Sequence, residues 1–125
     1  MNFSESPEFQ KDVKALSKKV RTLRSDLERV CGRIEPLYVP VKDVDLQTYR
    51  GLFFDGKRAT ILHQIEGAEV IKMRLDTDTR TMQGKLRLVF IAIVSSGTVT
   101  FIEIFAKNNK NREDQQRIKK YISEV

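Results

Sequence analysis

Two periods of hydrophobic and polar positions divide this chain. In the first third, Phe9, Val13, Leu16 and Val20 recur at spacings of four, three and four, which is the apolar stripe of a helix. Ser6 stands where an N-cap belongs, Pro7 suits the first helical position, and Glu8 lies in the first turn. Leu23, Leu27 and Val30 with Cys31 carry the stripe onward, and Arg21–Thr22 interrupts it. One long helix or a helical hairpin fits this pattern. The hairpin is favoured, with Thr22 capping a second helix that stops at Gly32. From residue 70 the period changes to two. Val70–Leu75 (VIKMRL) places Ile71, Met73 and Leu75 on one side and Lys72 and Arg74 on the other. Leu86–Val94 (LRLVFIAIV) is apolar almost throughout, as expected of a central strand covered on both faces. Ser95–Ser96–Gly97 turns the chain into a third strand, Thr98–Phe105, on which Glu103 and Phe105 share a face with Lys107. A polar, basic loop, Ala106–Arg112, then opens a short closing helix.

Residues 34–69 are harder to read. Pro36, Pro40, Gly51, Gly56 and Gly67 punctuate them, and Asp55–Gly56 is a turn signal. Tyr49, Leu52, Phe53 and Phe54 read as a loop or short element packed on the domain. The expectation is therefore one α+β domain over residues 1–125. An N-terminal helical pair packs on a small antiparallel sheet, and a short C-terminal helix ends the chain.

Length and composition fit a single core. At 125 residues the chain is of ordinary domain size, with 40% apolar and 32% charged residues. No apolar run approaches the roughly 20 residues of a membrane span. A lone Cys31 has no internal disulfide partner, and MNFSESPEF has neither the basic start nor the apolar stretch of an export signal. Both point to the cytoplasm. The net charge of +6 is unevenly spread. Residues 1–33 carry eight Lys and Arg against five Asp and Glu, and residues 107–125 carry six against three, while the middle is nearly neutral. A basic protein is predisposed to polyanions.

Carboxylate pairs, His clusters and Cys pairs are missing, so neither a metal nor a cofactor is expected. His63, the only histidine, has no partner for nucleophilic or metal chemistry and reads as structural. What remains is cationic. If the three strands are neighbours, Lys72, Arg74, Arg87 and Lys107 converge on one side of the sheet without carboxylates, an arrangement suited to a phosphate. Lys18 and Lys19 are expected on the solvated face of the N-terminal helices, as an outlying contact for a polyanion.

The order helix–helix–strand–strand–strand–helix resembles the toxins of the RelE/ParE superfamily, found in type II toxin–antitoxin pairs. SPEFQKDVKALSKK is similar to that family's opening helix, VIKMRL to its "YKIRL" strand, and GKLRLVFIAI to its "GGYRVIYYV" strand. FIEIFAKNNKNREDQQRIKKYI is similar to its closing strand, loop and helix. The resemblance covers most of the chain except about residues 34–66, an enlarged connection.

This resemblance implies a metal-independent endoribonuclease that cuts mRNA, often on the ribosome, and is silenced by a cognate antitoxin. In such enzymes the 2′-hydroxyl attacks the adjacent phosphate. Cationic side chains then stabilise the phosphorane, and a Lys carries a proton. By position, Lys72 and Arg74 match the paired basic residues of the first strand, Arg87 the central arginine, and Lys107 the lysine after the third strand. Lys85, Lys110 and Arg112, with Lys18 and Lys19, are the expected RNA contacts. The chain also departs from the pattern. Phe90 and Phe105 replace tyrosines, Asn108 stands where a second arginine often follows, and Tyr121 lies far along the last helix. The alternative is a non-catalytic ParE-type toxin that binds DNA gyrase, or a family member without ribonuclease activity.

Overall fold

Leu86–Ile93, the most apolar stretch of the chain, is the middle strand of a five-stranded sheet. The computed structural model describes residues 1–125. In chain order the elements are β1 (Asn2–Glu5), α1 (Pro7–Leu16), α2 (Leu23–Ile34), α3 (Leu46–Phe54), β2 (Ala59–Ile65), β3 (Ala68–Arg74), β4 (Leu86–Ile93), β5 (Thr98–Ala106) and α4 (Gln115–Ser123). The sheet runs β1-β5-β4-β3-β2. Strands β2 to β5 pair antiparallel, whereas β1 pairs parallel with β5.

The three expected strands are present within a residue or two of their expected bounds. Two more extend the sheet, which makes it mixed rather than purely antiparallel. β1 is too short and too polar to announce itself, since half of its four residues face solvent. β2 (ATILHQI) carries a register shift between Ile61 and His63 that breaks its alternation. The opaque middle segment also folds as α3, which Asp45 caps by accepting from Thr48 N at 3.0 Å. Asp55–Gly56 is a turn, and Gly56 takes a left-handed φ of 69°.

At the N-terminus, Ser6 caps α1 through a 3.1 Å bond from Phe9 N, and the apolar stripe buries Phe9 and Val13. The expected break falls at residues 17–22. Two details of the second helix differ from expectation. α2 runs past Gly32 to Ile34, because Ile34 and Leu37 still bury into the core. Nor does the Thr22 side chain cap it. Its Oγ1 donates instead to Asp26 Oδ2 at 2.9 Å. Asp26 is itself buried and also takes Thr77 Oγ1 at 2.6 Å and Asp78 N at 3.2 Å, fastening α2 to the β3–β4 connection.

The sheet is covered on both sides. One side, with Ile71, Met73, Leu88, Phe90 and Phe101, meets α1 and α2 in the larger core. The other, with Val70, Val89, Ile91, Ile102 and Phe105, meets Ile118 of α4. Polar ties hold α4 to α1. Arg117 Nη1 donates to Asp12 Oδ2 at 2.6 Å, Lys120 Nζ to Glu8 Oε2 at 2.9 Å, and Tyr121 Oη to Glu8 Oε1 at 2.6 Å.

The Tyr121 hydroxyl, followed by Lys120, holds the Glu8 carboxyl well below its ordinary 4.5, at about 2. A carboxyl depressed on folding adds stability that is complete above pH 4.5 and lost as the pH falls toward 2. Acid unfolding followed by circular dichroism should therefore be less steep in Glu8→Gln across that window. Parallel curves for the two proteins would disprove the coupling.

Candidate phosphate-binding site

Arg74 ends β3 and Arg87 is the second residue of β4, and the two are directly opposed in the ladder. The next pair along is hydrogen-bonded, with Leu75 N donating to Leu86 O at 3.1 Å. Antiparallel ladders alternate, so Arg74 and Arg87 form the non-hydrogen-bonded kind of pair, in which Cα atoms lie about 4.5 Å apart and side chains are closest. Both point to the α4 side, as Lys72 and Val89 do. Neither guanidinium meets a carboxylate. Arg87 Nη1 donates to Gly84 O at 2.9 Å and Leu86 O at 3.0 Å, which leaves the far side of its fork open. Burial, and then the charge of Arg74, lower the Arg87 pKa from its ordinary value. Like charges directly opposite destabilise a sheet, and an anion between them removes that penalty.

Lys107 joins this end through the backbone. Its N–H donates to Lys85 O at 2.7 Å, carrying the β4–β5 ladder one step past both strands. Register places Lys85 and Lys107 on the face of Arg87, and both side chains are exposed without an ion-pair partner. Gly84, at φ 78°, makes the turn that lets Lys85 enter the strand here.

Lys72 lies on the same face but is not free. Its Nζ donates to Glu113 Oε1 at 2.8 Å. Lys110 is likewise bound to Glu103 and sits 5.5 Å over the Phe105 ring. The expectation of convergent cations without carboxylates is thus corrected, because two acids stand among them. Glu103 is buried and also accepts from Asp114 N at 2.8 Å. Burial pushes the Glu113 carboxyl up, but the bond from Lys72 and its neighbours outweigh this and leave it lowered. The signal for Glu113 was the charge alternation of NREDQ, which reads as loop composition until the fold lays that loop across the sheet. Arg112 is exposed beside it.

Lys18 and Lys19 fall outside the helix, since α1 ends at Leu16 and they occupy the following turn. Lys19 shares a hollow of about 330 Å³ with Asp12, Leu16, Asn109 and Lys110 at the rim of β5. His63 is exposed on edge strand β2, opposite Val70. Burial raises the Cys31 thiol, which donates to Leu27 O. No group of three or more His, Cys, Asp or Glu side chains is placed to hold a metal. No helix is long and apolar enough to cross a membrane.

Another hollow, of about 310 Å³, lies at the opposite end of β3 and β4, lined by Leu37, Leu46, Ile65 and Val94. Its charged floor is already satisfied. Glu69 takes two bonds from Arg50 Nη2, at 3.0 and 3.1 Å, and one from Tyr38 Oη at 2.7 Å. A polyanion finds unpaired cations at the Arg74–Arg87 end and not here.

Compared with known proteins, the chain matches no family model, no curated protein and no solved structure at a significant level.

If the Arg74–Arg87 contact is repulsive, relieving it strengthens the sheet. Arg74→Thr should raise stability by about 0.5 kcal/mol in low-salt denaturant titrations. The gain should shrink as salt screens the pair. A loss of stability at every salt concentration would mean that the two cations do not repel.

Proposed function

We propose that this protein is a toxin of the RelE/ParE type and acts as a metal-independent endoribonuclease on mRNA in the cytoplasm, under the control of a cognate antitoxin. The observation that carries this reading is the opposed, carboxylate-free pair Arg74 and Arg87, with Lys107 beside it at the mouth of the loop. Cleavage of RNA by its own 2′-hydroxyl builds negative charge on a phosphorane, so its catalyst must present fixed cations to two equatorial oxygens. Arg87 has the geometry for this. Its planar fork is held by two carbonyls at the start of a rigid central strand. Arg74 supplies the opposing charge, and Lys107, Lys85 and Arg112 line the path of the flanking backbone. Lys72 is the proton carrier.

The element order adds support, since helices α1 and α2, strands β3 to β5 and helix α4 follow the sequence on which the resemblance rests. The enlarged connection holds α3 and β2, and the start of β2 reaches the cationic end, where Arg58 O accepts from Arg74 N at 2.9 Å.

One observation favours the non-catalytic reading, a ParE-type toxin that binds DNA gyrase. No aromatic hydroxyl reaches the cationic face. Phe90 is wholly buried in the α1–α2 layer, and Tyr121 is bonded to Glu8.

Purified protein should cut RNA in the presence of a chelator and leave 2′,3′-cyclic phosphate ends. Arg87→Ala should lose at least about 100-fold of that rate, the scale of a preorganised charge donor. Its fold should be unchanged by circular dichroism. In cells, induction should halt translation, with rescue by the antitoxin. Arrested supercoiling with intact mRNA would replace this reading with the gyrase one.

A further inference from the structure

The proposed chemistry needs a proton for the departing 5′-oxygen, and a flexible lysine delivers one well only if something holds it. We infer that Glu113 is a positioning residue for Lys72, fixing its ammonium as the proton donor to the leaving group. This rests on the ribonuclease reading and adds to it a residue that the resemblance does not supply.

The geometry is that of a backstop. The Glu113 side chain is only 6% exposed, whereas Lys72 is 29% open, so the carboxylate lies behind and the ammonium in front. Both carboxylate oxygens are engaged, Oε1 by Lys72 at 2.8 Å and Oε2 by the Gln115 amide at 2.9 Å. Its own backbone is anchored too. The next residue, Asp114, gives its N–H to buried Glu103 and caps α4 by accepting from Arg117 N at 3.0 Å. A carboxylate fixed at this many points restrains a four-carbon stem that otherwise turns about each of its bonds. Lys72 stands two residues before Arg74 on the same face, roughly 6.6 Å along the strand. A phosphate seated on the guanidiniums thus has the ammonium at one flank.

In the step, a bond forms between the 2′-oxygen and phosphorus and the bond from phosphorus to the 5′-oxygen breaks. The 2′-hydroxyl proton passes to a solvent water acting as base. Lys72 gives its proton to the 5′-oxygen and regains one from water. Glu113 exchanges no proton in this step and serves to hold the ammonium in place.

The test uses RNA with sulfur in place of the bridging 5′-oxygen, since a thiolate departs without a proton. On ordinary RNA, Glu113→Gln should lower kcat roughly 10- to 100-fold with little change in KM, a part of what general acid catalysis supplies. On the sulfur substrate it should approach the wild-type rate, as should Lys72→Ala. Arg87→Ala should remain slow on both, and Glu113→Asp should be intermediate on ordinary RNA. Equal slowing on both substrates, or a raised KM with kcat intact, would overturn the role of Glu113 and leave the ribonuclease standing. Failure of the wild-type protein to cut RNA would overturn both. If Glu113→Gln melts early, Glu113→Asp must show the sulfur-specific recovery, and its absence overturns the inference.

Discussion

Each layer of this molecule answers to the requirement that Leu86–Ile93 be shielded on two sides. The strand has no polar face after Arg87, and its alternate side chains enter two separate apolar clusters. A strand of this kind cannot sit at an edge or under a single layer of helices without exposing half its surface. The α1–α2 layer takes Leu86, Leu88, Phe90 and Ala92. α4 takes Val89 and Ile91 together with Ile102 and Phe105. Covering the second face obliges the chain to return across the sheet after β5, and that return brings the basic loop beside the ends of β3 and β4. The cationic end of the sheet is therefore a by-product of how the core is closed.

Charge is handled differently at the two ends of the sheet. Around α4 and α2 nearly every acid has a basic partner, and the buried acids Asp26, Glu69 and Glu103 are saturated with donors. No buried polar side-chain atom is left without a hydrogen bond. Against that background, two guanidiniums facing one another stand out. Their cost is tolerable because Arg74 is exposed and Arg87 only half-buried, so solvent screens them. Polar groups are satisfied elsewhere, while these two guanidiniums face each other with no carboxylate partner.

Much of the frame was legible because it rests on local periods. The Ser6–Pro7–Glu8 start of α1, the break before α2 and the three long strands all follow from spacing and capping chemistry. Less legible were features whose cause is distant in sequence. β1 is a strand because β5 offers it an edge, through bonds such as Asn2 N to Gly97 O at 2.8 Å, and not because NFSE prefers that state. α3 buries none of its residues fully and shows only a weak stripe. That Arg74 and Arg87 share a face follows from alternation along strands correctly read, while their direct opposition is set by a register that spacing alone does not give. The carboxylates did not, since Glu113 reaches Lys72 across 41 positions of sequence.

The register shift between β4 and β5 has a consequence of its own. Val89 faces Glu103 and Phe90 faces Phe101, so Ile102 is the extra residue and both it and Glu103 turn toward α4. In an unbroken strand, alternation from Phe101 would send Glu103 into the apolar layer beneath α1. The bulge absorbs one residue without alternation and so keeps this negative charge on the α4 side. Measured in the currency of heredity, losing the Ile102 codon would remove the bulge yet leave Glu103 directly after Phe101, still turned toward α4. Such a loss would take the Ile102 side chain from the layer beneath α4 while Lys110 and the α4 cap kept their shared anchor.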